Sequence, residues 1–318
     1  MNLRAIEFET YAAEVLPHTA ELWAGERAQD RYVEQTGEIA HCGYGRRHYR
    51  TVGLYDGDRL VASFKRYERT LRAGTGRLRA AGIGAVFTPP ELRGRGYASA
   101  MLAMELDRSL SDGIDVAFLF SDIRPQFYAQ LGFVAMPSRS FSLRADSLPR
   151  SRVEVWSLDD RDWIGVQRCF ELAERQRSSA FLRTPLVWEW LRLRMRHGSE
   201  HPESIETNLV VRRRRAIAAY VLGARAPQHD AFILDEFGFA DAEAAALVPA
   251  LLRSAAGDLR RVIGWLPPEN TREILPHASV RKRTNGVFMA APLTPAAKRW
   301  VKVAANANVD SVWSTDHI

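Results

Sequence analysis

Residues 80–110, AAGIGAVFTPPELRGRGYASAMLAMELDRSL, place an apolar run, a glycine-rich turn and a helical pattern in one continuous stretch. The apolar run ends at Phe87, where a Pro-Pro pair stops a strand. After the turn, apolar residues recur at helical spacing from Met101 to Leu106. The stretch therefore predicts a strand, a loop and a helix, in that order.

The loop has the chemistry of a phosphate-binding turn. Gly94 and Gly96 lack Cβ atoms, so a ligand can approach the backbone, and the first N–H groups of the following helix have no partner within the helix. Arg93 and Arg95 beside these donors suit a pyrophosphate. A Walker loop would need Lys-Ser/Thr after its last glycine, and a dinucleotide fingerprint would need a third glycine with an acidic residue roughly 20 positions on. Neither motif fits this loop.

The pattern Arg-x-x-Gly-x-Ala, formed by Arg93, Gly96 and Ala98, resembles the acetyl-CoA loop of the GNAT (GCN5-related) N-acetyltransferases. A second signature follows at the expected distance, where residues 127–133 read Phe-Tyr-x-x-Leu-Gly-Phe after the apolar strand of residues 116–121. The two signatures occur in the order in which the family carries them.

This resemblance implies that two parallel strands, residues 83–88 and 116–121, splay apart to admit the pantetheine arm of acetyl-CoA as a co-substrate. It also implies that Tyr128 is the general acid that protonates the departing thiolate. The residues that the resemblance assigns to the cofactor are Val86, Phe87, Thr88, Arg93, Gly94, Arg95, Gly96, Tyr97, Ala98, Ser99 and Ser121.

The order of strands and helices repeats after a predicted hinge near residues 144–151, without a second Arg-x-x-Gly-x-Ala. At the corresponding place Asp241 and Glu243 would repel a pyrophosphate. The predicted fold is α/β (α+β), with two tandem GNAT-like folds whose mixed central sheets are flanked by helices. We predict a catalytic domain at 1–145, a degenerate GNAT-like domain at 150–293 and a C-terminal tail at 294–318.

An active unit followed by a degenerate one resembles the Eis-like (enhanced intracellular survival) acetyltransferases. Three-domain members of that group add a sterol-carrier-like unit whose C-terminal carboxylate reaches the active site, and the roughly 25 residues after 293 are too few for it. The general base is therefore open among Asp122, His41, His48 and Glu236. The two histidines belong to residues 29–48, which read as a polar, glycine-containing loop. The resemblance implies that this loop lines the acceptor side of the cleft.

No nucleic-acid partner is predicted, because the excess of basic over acidic residues is poor evidence for one. The formal net charge is +6, and 40 of the 44 basic residues are Arg, spread along the whole chain. No signal peptide or run of roughly 18 apolar residues is present, which predicts a cytoplasmic protein without membrane attachment. Cys42 and Cys169 are isolated in the sequence and do not have the paired spacing of a zinc site. His197 and His201 lack the glutamate of a metalloprotease helix and are predicted to lie in a solvated loop. No metal site is therefore predicted.

The predicted function is acetyl-CoA-dependent N-acetylation by direct attack of a primary amine in a ternary complex. Two alternatives remain, a non-catalytic acyl-CoA-binding regulatory protein and a Fem-like aminoacyl transferase, although the CoA loop argues against the second. The acceptor is open among aminoglycosides, polyamines, small metabolites and protein lysines, because all of them present the same amine. Homo-oligomer formation is also open.

Overall fold

A computed structural model describes residues 1–25, 27–122, 124–199, 203–268, 274–275 and 277–318. Its architecture is two eight-stranded mixed sheets, each flanked by helices. The predicted α/β class, with two mixed central sheets flanked by helices, is confirmed.

The first sheet has the strand order β1-β2-β3-β4-β5-β16-β6, with β9 pairing the far end of β3. Its strands are β1 Asn2–Ile6, β2 Tyr49–Asp56, β3 Arg59–Ala73, β4 Gly76–Phe87, β5 Val116–Ser121, β6 Val134–Ala135, β9 Ser179–Leu182 and β16 Val287–Pro292. An Asp-Gly turn at residues 56–57 joins β2 to β3, and Gly57 adopts a φ of 60° that a tight turn between strands requires. Gly74 does the same between β3 and β4.

The helices of the first half cover both faces of this sheet. They are α1 Phe8–Glu14, α2 Leu16–Trp23, α3 Gln29–His41, α4 Gly43–His48, α5 Tyr97–Ser111 and α6 Pro125–Ala129. The expectation of a loop over residues 29–48 was wrong, since α3 and α4 occupy that segment. Its glycines serve close packing instead of chain reversal: a Cβ on Gly45 would lie 2.0 Å from the Ile39 carbonyl oxygen.

The second sheet has the order β15-β7-β14-β13-β12-β11-β8, with β10 pairing β12. Its strands are β7 Arg139–Arg144, β8 Trp156–Ser157, β10 Ile205–Glu206, β11 Leu209–Arg213, β12 Ala216–Ala226, β13 Ala231–Phe239, β14 Arg261–Trp265 and β15 Ser279–Lys282. Its helices are α7 Trp163–Glu174, α8 Pro185–Ser199, α9 Ala242–Ala245 and α10 Val248–Ala256. The sequence also predicts a short helix at residues 271–275, and this segment falls largely outside the described residues.

The two sheets exchange a strand. Strand β16 inserts between β5 and β6 of the first sheet, pairing antiparallel with β5 from Val287–Ser121 to Pro292–Val116. In return, β7 inserts between β14 and β15 of the second sheet. The boundary expected near residue 145 therefore does not separate the sheets, because each is completed by a strand from the other half of the chain.

The segment after β16 continues as a helix, α11 Pro295–Ala305, followed by an extended C-terminal segment. Helix α11 is capped by the Thr294 hydroxyl and packs Trp300 and Val301 against the end of the first sheet. In the part of the chain that the structure describes, no helix combines the length and apolar character needed to cross a membrane.

Candidate active site

Strands β4 and β5 form a wedge. Among the described residues their parallel pairing runs only from Ala80–Val116 to Gly82–Phe118, although both strands continue beyond it. Ala85 has a φ of 47°, a left-handed conformation in a residue that is not glycine, and the pairing of β4 with β3 shifts register beside it. Such a bulge bends a strand and ends its pairing, so β4 turns away from β5 and leaves backbone groups open.

The phosphate-binding turn follows this wedge directly. Gly94 and Gly96 have φ values of 78° and 81°, and no heavy atom of the described residues lies within 4 Å of a Cβ built on either one. Gly96 is the N-cap of α5 and so gives the helix no side-chain cap. The turn therefore presents uncapped N–H groups and the positive end of a 15-residue helix to open space.

The residues around the turn hold its shape. The Arg93 side chain donates to the Thr88 carbonyl at 3.1 Å, and Arg95 donates to the Glu91 carbonyl at 3.4 Å. Both guanidinium groups are exposed and carry no carboxylate partner in the described residues. The Thr88 hydroxyl is buried and without a hydrogen-bond partner there.

The remaining residues expected at the cofactor site lie on the elements that border this space. Val86 and Phe87 end β4, Ser121 is buried at the end of β5, and Tyr97, Ala98 and Ser99 form the first turn of α5. The structure thus gathers the eleven expected cofactor residues at the wedge and the turn beyond it.

Helix α5 is held against the sheet by apolar packing and a buried charge pair. Met101 and Leu102 are fully buried. Arg66 on β3 donates to Glu105 at 2.8 Å, and the Ser109 hydroxyl donates to the same carboxylate oxygen at 2.9 Å. These contacts fix the N-terminus of the helix relative to the wedge.

Tyr128 lies on α6, the short helix after β5, with its ring half-buried. Its ring contacts Phe127 and Phe133 at centroid distances of 5.0 and 6.1 Å. Burial raises the pKa of the phenol, and the nearby charge of Asp122 raises it further. The hydroxyl is therefore protonated at neutral pH and able to donate a proton.

The C-terminal segment, residues 306–318, runs between the two sheets. A Cβ on Gly82 would lie 2.5 Å from the Ile318 side chain, and one on Gly84 would lie 3.5 Å from its main-chain carbonyl. The His317 ring contacts Phe120 at 5.0 Å, and its Nε2 lies 4.0 Å from a carboxylate oxygen of Asp122. The sequence analysis predicts only a C-terminal tail here, because no local pattern in the segment indicates that it reaches β4.

A buried ionic cluster anchors the C-terminal segment to both sheets. Glu236 on β13 accepts from Arg183 at 2.6 Å, from Tyr220 at 2.7 Å and from the Thr315 hydroxyl at 2.5 Å. Asp316 lies 3.2 Å from a guanidinium nitrogen of Arg69 on β3 and 3.4 Å from one of Arg183. Every member is buried or nearly so, and the cluster joins Arg69 of the first sheet to Glu236 of the second through Asp316 and Arg183.

The four candidate bases are spread widely. Asp122 follows β5 directly and lies at the wedge, next to His317 and Tyr128. Glu236 is committed to the ionic cluster. The His41 ring packs against Phe8 and the His48 ring against Tyr44, at centroid distances of 5.3 and 5.4 Å.

Among the described residues, the second sheet has no equivalent of the phosphate-binding turn. Strands β13 and β14 are its parallel pair, yet the helix after β13 is capped by the Asp241 carboxylate, which accepts from the Ala244 N–H at 2.8 Å. Arg213 pairs with Asp241 and Glu243, so the basic side chain is neutralised. The place that would receive a pyrophosphate is filled by acidic side chains.

His197 is part of α8 instead of a loop, and its Nε2 lies 2.7 Å from a carboxylate oxygen of Glu38 on α3. His201 lies outside the described residues.

Asp235, on β13 of the second sheet, should make the free energy of unfolding depend on pH. Burial raises the pKa of its carboxyl to about 6, although the Ser314 hydroxyl donates to it at 2.8 Å. Because this pKa lies above that of an unfolded aspartate, the folded protein binds the proton more tightly. The contribution of Asp235 to the free energy of unfolding is fully present below about pH 4 and falls by up to ~3 kcal/mol as the pH rises to 6.

We expect Asp235→Asn, which keeps an acceptor for Ser314, to raise the free energy of unfolding above pH 6 and to match the parent near pH 4. Urea unfolding at both pH values checks this, and a difference independent of pH would contradict it.

Residues 7–136 match the family model of an acetyltransferase (GNAT) domain. No curated protein matches the sequence. A probable N-acyltransferase from Enterococcus faecalis V583, described as a conserved protein of unknown function, superposes with a TM-score of 0.71 at 16% identity, covering 92% of this chain and 72% of that one.

A GCN5-related N-acetyltransferase from Kribbella flavida gives a TM-score of 0.66 at 24% identity, with 93% of this chain and 73% of that chain covered. Eis1 from Mycobacterium abscessus gives a TM-score of 0.62 at 17% identity, with coverages of 92% and 73%. At these identities the structures establish the fold, and they extend it over both sheets. The resemblance to GNAT and Eis-like proteins found in the sequence is confirmed at this level.

Proposed function

From the premise that residues 7–136 form a GNAT acetyltransferase domain within a tandem GNAT fold, we propose that this chain is an acetyl-CoA-dependent N-acetyltransferase. It transfers the acetyl group to a primary amine by direct attack in a ternary complex. The observation that carries the proposal is the wedge between β4 and β5 followed at once by the uncapped turn at Gly94 and Gly96.

Each part of the cofactor meets matching chemistry in this arrangement. The N–H groups at the start of α5, with Arg93 and Arg95, would bind the pyrophosphate. The unpaired edge of β4 would hydrogen-bond the pantetheine arm as an added strand does. A backbone N–H of β4 would polarise the thioester carbonyl.

The reaction needs no covalent intermediate on the protein. A neutral amine is already a good nucleophile, and holding it in line with the thioester contributes on the order of 7–11 kcal/mol through effective molarity. The C–N bond forms as the C–S bond breaks, and Tyr128 supplies a proton to the departing thiolate. Asp122 is the candidate base that borders the wedge and can take the proton of the incoming amine.

Amine-dependent release of the CoA thiol tests this function. The protein is incubated with acetyl-CoA and a panel of primary amines, and free thiol is followed. We expect thiol release that requires both protein and amine. A regulatory acyl-CoA-binding protein would bind acetyl-CoA without this turnover, and a Fem-like transferase would require charged tRNA.

We expect a single CoA site, in the first unit. Gly96→Asp places a side chain and a negative charge beside the pyrophosphate position, at a backbone φ of 81° that L-residues rarely adopt, so CoA binding is lost. The matched control is Ala240→Asp, at the corresponding position after β13, which leaves CoA affinity unchanged. Calorimetry reports both affinity and stoichiometry, and two CoA sites per chain would contradict the assignment.

A further inference from the structure

Lys65 lies on β3, next to the strand β4 that forms one side of the wedge, on the face of β3 that points away from α5. It pairs across the sheet with Gly84, the last residue of β4 in regular register before the bulge at Ala85. Directly paired residues of neighbouring strands have Cβ positions about 5 Å apart. Tyr67, two residues along, shares this face because side chains alternate along a strand. An acceptor amine attacking a thioester held by β4 therefore meets Lys65 as a near neighbour.

Within the described part of the chain, the Lys65 ammonium group makes no hydrogen bond and no ion pair. Its Nζ lies 5.9 Å from the centroid of the Tyr11 ring and 6.0 Å from that of the Tyr32 ring. Burial and the like charges of Arg194 and Arg27 lower its pKa to about 8. A charged lysine buried at this position destabilises the folded protein unless an anion binds beside it.

The groups around Lys65 are hydrogen-bond donors as well. The Tyr11 and Tyr49 hydroxyls are buried without a partner among the described residues. The ring of Tyr49 lies 5.1 Å from that of Tyr67. Unpaired hydroxyls and an unpaired ammonium in one cluster leave several donors available for a single anionic ligand.

Arg194 extends the positive charge toward the second sheet. Its guanidinium lies over Trp190 at 4.7 Å, and one of its nitrogens is buried and unpaired in the described residues. The acidic groups on that side are already committed, Asp316 to Arg69 and Arg183, and Asp235 to Ser314.

We propose that Lys65, supported by Arg194, binds a carboxylate of the acceptor, so that the substrate is a small amino acid or related amine that carries an anionic group. This inference rests on the proposed function, because it names the acceptor class of the same site. A polyamine brings only positive charge to a cluster that already repels cations. It is therefore a poor acceptor.

The test compares matched acceptors and a matched control variant. Amino acids, their primary amides and a polyamine are assayed with the parent, with Lys65→Gln and with Lys302→Gln, which makes the same change at an exposed position of α11. The parent should favour each acid over its amide by roughly ten- to hundredfold in kcat/KM, the range expected for a hydrogen bond to a charged group. Lys65→Gln should bring this ratio close to one, mainly through KM. Lys302→Gln should leave it unchanged.

Amides or polyamines used as well as acids, with a ratio insensitive to Lys65→Gln, would overturn the carboxylate assignment while leaving the acetyltransferase intact. If no amine is acetylated, the proposed function fails, and calorimetric titration with N-acetyl amino acids and their amides still tests the site. Carboxylates should bind more tightly than amides to the parent but not to Lys65→Gln. Equal binding by the parent would contradict the inference.

Discussion

Replacing Tyr128 with phenylalanine should lower kcat by roughly 10²–10⁴-fold, the range typical of general acid catalysis. Expelling a thiolate is easier when a nearby group donates a proton, and the raised pKa of Tyr128 keeps its hydroxyl protonated at neutral pH. The substitution retains the ring and its contacts with Phe127 and Phe133. CoA affinity and folding should therefore be unchanged.

The matched control is Tyr55→Phe, which removes a phenol hydroxyl from β2, away from the wedge. It should turn over at the parent rate. Kinetics are measured with saturating acetyl-CoA under conditions where chemistry limits turnover. A Tyr128→Phe variant as fast as the parent would mean that the tyrosine only packs and that another group or water supplies the proton.

Removing the carboxylate of Glu236 should destabilise the protein by about 3–5 kcal/mol, because Arg183 is then left as a buried charge without its main partner. Tyr220 and Thr315 lose their acceptor at the same time. The comparison is Asp146→Ala, which breaks the exposed Arg144–Asp146 pair and should cost less than about 1 kcal/mol. Chemical unfolding at neutral pH measures both.

If Glu236→Ala lowers the free energy of unfolding by less than about 1 kcal/mol, the prediction is wrong, and the cluster must relax or admit water to compensate. The large predicted loss arises because both charges lie away from solvent, with side-chain exposures of 1% and 0% for Arg183 and Glu236. The same contact holds Thr315, so this substitution should also loosen the C-terminal segment that reaches the wedge.

The wedge and its turn could be predicted from the sequence because their chemistry is local. The positive φ at positions 94 and 96 selects glycine, because a side chain makes this left-handed backbone unfavourable, and the helix starts immediately after them. The sequence also predicts that no such turn lies near Asp241, because the required glycines and arginines would have to occur locally there. Tyr128 was found through its place in a short motif, and its role remains a prediction.

The strand exchange could not be predicted, because alternating apolar residues indicate a strand but not its partner. Residues 139–144 and 287–292 are both six-residue strands, and neither sequence indicates which sheet it joins. The C-terminal segment is placed by contacts of very long range, such as that between Arg69 and Asp316, 247 residues apart. The spacing of residues along the sequence does not predict a contact between residues so far apart.

Lys65 illustrates a different limit. Its position on β3 follows from the strand pattern, but lysine is among the residues least often buried, so the sequence favours an exposed side chain. Only the packing of α1 and α3 over the sheet places it beneath tyrosine rings. In the segment 29–48, glycines that read as loop signals are small residues required where backbones and rings approach closely, as at Gly37 beneath Phe8.

Intact-mass measurement of the protein mixed with one equivalent of acetyl-CoA, before and after addition of an acceptor amine, tests direct transfer from the wedge. We expect an unmodified protein and an intact thioester before the amine is added, and then equal amounts of free CoA and N-acetylated amine. An acetylated protein that passes its acetyl group to the amine, or a thioester that survives every amine offered, would contradict the account.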